Sequence, residues 1–101
     1  MKRYHGTADC SVLVQAPGGA YPLPHKVRHS PTGYAWSYGG SGPADLARSL
    51  LWDHLGREPS AALYQDFKWD FVAKFEDTWT LKAEEIDAWL SKREPELDWS
   101  R

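Results

Sequence analysis

The segment Tyr34-Ala-Trp-Ser-Tyr-Gly-Gly-Ser-Gly-Pro-Ala-Asp-Leu46 constrains this chain more than any other. Tyr34, Trp36 and Tyr38 alternate with Ala35 and Ser37, which predicts a strand with one aromatic face. The run enters Gly39-Gly40-Ser41-Gly42 and then opens into an apolar-periodic helix. Ser41 or Gly42 is the expected N-cap, Pro43 suits the first helical position, and Asp45 favours the positive end of the dipole. A strand-to-helix corner this rich in glycine brings backbone N–H groups close to large rings.

The remaining periodicities complete an α+β outline. Residues 2–5 and 11–15 read as short strands, with a turn at Pro17-Gly18-Gly19. Tyr21 to Val27 predicts an edge strand or loop, because Pro22 and Pro24 lack the ladder N–H. Ser30-Pro31-Thr32-Gly33 is a second turn. Leu46, Leu50, Leu51 and Leu55 form the apolar stripe of a first helix that stops at Gly56. Leu63, Phe67, Phe71 and Phe75 recur every four residues and predict a second helix over 60–75. Trp79 and Leu81 lead into a third over 83–93, with Glu84 and Glu85 in its first turn and Lys92 and Arg93 in its last. Pro95 ends it. The expected fold is a small antiparallel sheet from the N-terminal half, packed against two or three helices from the C-terminal half. Residues 1–95 form one domain, and 96–101 a loosely held tail on which Leu97 and Trp99 can pack back.

Charge is unevenly placed. Residues 1–44 carry Lys2, Arg3, Lys26 and Arg28 against Asp9, whereas 45–101 carry eight basic and thirteen acidic residues. An acidic helical half repels phosphate backbones and suits a basic protein partner. Six tryptophans and five tyrosines exceed what a core of this size needs, so part of them is available as contact surface. Cys10 is alone, which excludes an internal disulfide and a cysteine metal knuckle. No apolar run approaches a membrane span and no signal peptide is visible, so a cytoplasmic location is expected.

Candidate sites follow from these patterns. The corner Gly39, Gly40, Ser41 and Gly42, flanked by Trp36 and Tyr38, offers free N–H groups for an anion and rings for stacking. It is neither a Walker loop, lacking Lys-Ser/Thr, nor a dinucleotide fingerprint, and Asp45 would compete with an anion. The alternative is a tight corner where glycine relieves backbone crowding. Lys26 and Arg28, flanked by His25 and His29, are the densest basic cluster. His54 reads as a surface residue near its helix C-terminus. Cys10 with His5 is the one arguable nucleophile and base, set against Cys10 as a small buried hydrophobe. Asp66 and Asp70 read as a solvated helix face, Asp70 pairing with Lys74. Trp69 lies off the Phe67–Phe71–Phe75 stripe, either as an exposed hot spot or in a satellite core under Trp79 or Trp89. No catalytic, cofactor or metal signature is present in the spacing.

Three stretches carry a family resemblance: Tyr34 to Ala47, Leu63-Tyr-Gln-Asp-Phe-Lys-Trp69, and Trp79-Thr-Leu81 with Glu85-Ile-Asp-Ala-Trp-Leu90. Together they resemble an uncharacterised family, a domain of unknown function found in small proteins of phages, plasmids and bacterial genomes. The match extends from Arg3-Tyr-His-Gly6 to Leu90, and departs at Lys82, where a Ser or Thr helix cap is expected. The resemblance brings no catalytic or ligand residues. It implies a mobile-element context in which small acidic proteins inhibit host defence, as anti-CRISPR proteins do. The reading is therefore a non-catalytic protein-binding module that occludes a host or mobile-element partner, with Trp69 and the glycine corner as its surface. The alternative is a binder of a phosphorylated small molecule, nucleotide or nucleic acid at residues 36–45, assisted by Lys26, Arg28 or His29.

Overall fold

The computed structural model describes residues 2–26, 28 and 34–93. His29, the turn at 30–33, Val27, Pro95 and the tail at 96–101 lie outside the described residues.

Alternation of apolar and polar side chains builds the sheet. Strand β1 (Arg3–Gly6) pairs antiparallel with β2 (Val12–Ala16), placing Tyr4 opposite Val14 and Gly6 opposite Val12. Those four face the core, whereas His5 and Leu13 meet on the solvated face. The connecting turn is closed by Cys10 N–H to Thr7 O at 2.9 Å and by Asp9, whose carboxylate accepts from Thr7 and Ser11. β3 (Gly19–Pro22) is the edge expected from its proline, though it ends five residues short of Val27.

The fourth strand is not visible in the sequence pattern. Trp79–Lys82 forms β4, which pairs with the free side of β1 and completes the order β3-β2-β1-β4. Trp79 and Leu81 point inward. Conversely, the expected strand over 34–38 is not one. Ser37 adopts φ +76, which breaks an extended run, and its N–H bonds Val72 O at 3.1 Å rather than a ladder partner. Tyr34 and Trp36 alternate inward because the segment wraps over the core.

Among the described residues, three helices cover the inner face of the sheet. α1 (Ser41–Leu55) starts one or two residues earlier than its expected caps: Gly40 is the N-cap, and Pro43 falls at the third helical position, where its missing N–H is still not needed. Gly56 stops it in the left-handed conformation, φ +76. Leu46, Ala47, Leu50 and Leu51 are fully buried, and Asp45, Arg48 and Ser49 are buried on the opposite, polar side. There residues 23–26 and 28 cross the helix as a strap. Lys26 N–H donates to Ser49 Oγ at 2.9 Å, Arg28 N–H to Asp45 Oδ1 at 3.1 Å, and Arg48 Nη1 to Lys26 O at 2.6 Å.

α2 (Ala61–Asp70) is capped by Ser60, whose Oγ accepts from Leu63 N–H at 3.2 Å. It is shorter than the four-residue aromatic repeat predicts. Phe71 leaves helical geometry at φ −123, a 3₁₀ turn follows over Val72–Lys74, and Phe75 is extended. That kink lets Phe75 stack on Trp79 at 4.1 Å, instead of continuing the helical stripe. α3 (Ala83–Arg93) follows β4 directly, and Lys82 N–H donates to Glu85 Oε2 at 2.9 Å. This supplies one half of a capping box without the Ser or Thr expected at Lys82. Ile86 and Leu90 enter the core, while Trp89 Nε1 donates to Asp70 at 2.7 Å and Arg93 to Asp66 at 2.8 Å.

Candidate functional site

The glycine corner is built by rings. The Trp69 indole lies over Gly39, so close that a Cβ there would stand 2.1 Å from Trp69 Cη2. At Gly40 a Cβ would stand 2.4 Å from the Tyr38 ring. Neither glycine has a positive φ, so the need for glycine here is spatial rather than conformational. Gly42 is buried against Ala35, where a Cβ would meet the Ala35 Cβ at 2.8 Å and its backbone N at 3.0 Å. Ser41 is exposed and begins the helix.

Tyr38 and Trp69 are 55% and 56% exposed, the largest exposed aromatic side chains among the described residues. Trp69 stands outward because Phe67 and Tyr64 direct the other side of α2 into the core. This settles its two sequence readings in favour of exposure, with Trp89 packing on Phe67 and Phe71 instead. Lys68 anchors the arrangement. Its side chain is buried, with Nζ 3.4 Å from Gly39 O and 4.5 Å from the centre of the Trp69 ring. The sequence sets Lys68 beside Trp69, but a lysine between Phe67 and Trp69 carries no signal of burial.

Trp36 belongs to the core. It is 8% exposed and meets Trp79 edge-on at 5.6 Å. Of the basic cluster, Lys26 lies away from the glycine corner. Lys26 Nζ lies 4.8 Å over the ring of Trp52, near the opposite end of α1. Arg28 hangs beside Asp45, which is fully buried and also accepts from His25 Nε2 at 2.9 Å.

The other candidates have structural partners. His5 Nε2 lies 3.1 Å from Gln15 Oε1 and its Nδ1 3.0 Å from Thr80 Oγ1. Both ring nitrogens are thus engaged away from Cys10, which is exposed in the β1–β2 turn with φ +66, not buried. His54 bonds Asp87 of α3 at 2.6 Å. Asp70 accepts from Trp89. Among the described residues, no group of His, Cys, Asp and Glu is placed to hold a metal, and no helix is long and apolar enough to cross a membrane.

The profile of a family of unknown function, DUF6166, matches residues 4–92. The chain belongs to that family. The match takes in all of the sheet apart from Arg3, the glycine corner, Tyr38 and Trp69. No curated protein and no solved structure matches the chain.

Proposed function

We propose that this DUF6166 protein is a non-catalytic module that docks a partner protein on Tyr38 and Trp69. One observation carries this reading: two large rings stand more than half exposed while seated on glycine backbone. Leaving a tryptophan in water forgoes burial worth about 2 kcal/mol or more. Rings already fixed in place lose little entropy on binding, which makes Tyr and Trp efficient anchors.

The chemistry around the rings selects the partner. The exposed carboxylates Asp66, paired with Arg93, and Asp70, bonded by Trp89, share α2 with Trp69, and residues 45–101 carry thirteen acidic against eight basic residues. A basic protein surface complements this side, with arginine able to stack on the rings. The resemblance to small phage and plasmid proteins supports a host or mobile-element protein as the partner and inhibition of a host defence system by occlusion as the role.

The test compares immobilised wild type with a Tyr38→Ala/Trp69→Ala variant and with Leu13→Ala on the opposite, solvated sheet face. The proposal expects a protein retained by wild type and Leu13→Ala and lost by the double variant, all three melting cooperatively. Retention by the double variant overturns it.

A further inference from the structure

On a different face, the strap and the start of α2 enclose an open cleft of 420 Å³ lined by Arg28, Arg48, Arg57, Glu58, Ser60 and Tyr64 among others. Three arginines and one carboxylate, Glu58, line it. Arg48 is only 7% exposed; its Nη1 is held by Lys26 O at 2.6 Å and its Nη2 by Glu58 Oε2 at 3.0 Å. Its Nε, also buried, has no hydrogen-bond partner among the described residues. Burying a guanidinium edge without an acceptor is costly, and such orphaned donors call for an explanation. Among the described residues, no carboxylate pairs with Arg28 or Arg57. The Ser60-capped N-terminus of α2 opens on the same cleft and adds its positive dipole end.

We infer that this cleft binds the phosphate of a small phosphorylated molecule, with Arg28 and Arg57 closing on it over Arg48 and the α2 N-terminus. Arginine suits this role because its planar fork meets two oxyanion oxygens at once. The cleft is larger than a phosphate needs, so part of an organic group fits beside it. Glu58 is the built-in competitor. Its side chain is 57% exposed, so its pair with Arg48 is weak and easily displaced by a doubly charged anion. This site shares no residue with the Tyr38–Trp69 surface and stands or falls separately from it.

The experiment is a titration at low ionic strength, read by thermal shift and calorimetry, with inorganic phosphate and a nucleoside monophosphate as probes and chloride as the control. Binding raises the melting temperature in proportion to ligand over Kd. We expect saturable binding of phosphate, tighter for the nucleotide where the organic group is read and equal where only the phosphate is. Arg57→Ala and Arg28→Ala, both at exposed positions, each weaken it about tenfold, and Glu58→Gln strengthens it severalfold. Either of two results overturns the inference: no shift by either probe up to about 10 mM with the wild type folded, or binding unchanged in Arg57→Ala and Glu58→Gln. Arg48 is left intact throughout, because its strap contact makes it part of the fold.

Discussion

The Trp69 indole occupies the space that a side chain on Gly39 would need, leaving 2.1 Å between its Cη2 and an added methyl carbon. Gly39→Ala therefore moves the ring. Because that atom is the far end of a half-exposed side chain, the fold absorbs the change. The expected loss is under about 1 kcal/mol, with a shift of tryptophan emission and of partner binding. Chemical denaturation and fluorescence on one sample check both.

Gly42→Ala behaves oppositely. Its Cβ would meet the Ala35 backbone, which cannot swing aside. Alanine gains about 1 kcal/mol of helix propensity over glycine, yet overpacking costs about 1–3 kcal/mol. The clash wins, and the variant melts lower than wild type. The same reasoning applies with more force at Gly6, where a Cβ would stand 2.0 Å from the buried Trp79 Nε1.

Asp45→Ala releases the strap. Its carboxylate receives His25 and the Arg28 N–H in a fully buried position. Losing these acceptors costs about 1–3 kcal/mol. Hydrogen exchange should accelerate at the Arg28 amide well before the β1–β2 amides respond.

Asp53 contributes to acid stability. Burial pushes its carboxyl up, but hydrogen bonds from Tyr4, Tyr21 and Lys2 outweigh it and hold the group below its ordinary value of 3.8. Tyr4 donates at 2.7 Å, Tyr21 at 2.7 Å and Lys2 at 3.1 Å, joining two strands to α1. A carboxyl lowered on folding stabilises the fold above its unfolded value. That contribution is lost as pH falls from about 4 through the lower folded value. Asp53→Asn should lose about 1–3 kcal/mol at neutral pH and show a flatter decline in acid. Urea titrations between pH 2 and 7 at about half-unit steps read this directly.

Much of this architecture is legible because it is local. The β1–β2 alternation, the leucine stripe of α1, the proline-marked edge and the charge-capped α3 are all written within a few residues. What escapes depends on partners far along the chain. Trp79–Lys82 shows only two inward residues, and its ladder partner β1 lies over seventy positions earlier. Residues 34–38 imitate a strand because a segment laid across a core also alternates. Asp45, Arg48 and Ser49 resemble a solvated helix side, and they are buried because a strap of backbone needs their polar atoms. At the candidate site, Trp69 and the glycines are visible as unusual residues, but their mutual contact is not. No sequence spacing says that an indole thirty residues away rests on Gly39.

The most direct measurement is the solution NMR spectrum of the Gly39 Hα protons with Trp69 assigned. A ring seated on the corner predicts strong upfield ring-current shifts at Gly39, cross-relaxation between its Hα protons and Trp69 Hη2, and loss of both in Trp69→Ala. Gly39 resonances at random-coil positions, with no contact to the indole, would contradict a pre-organised aromatic docking surface.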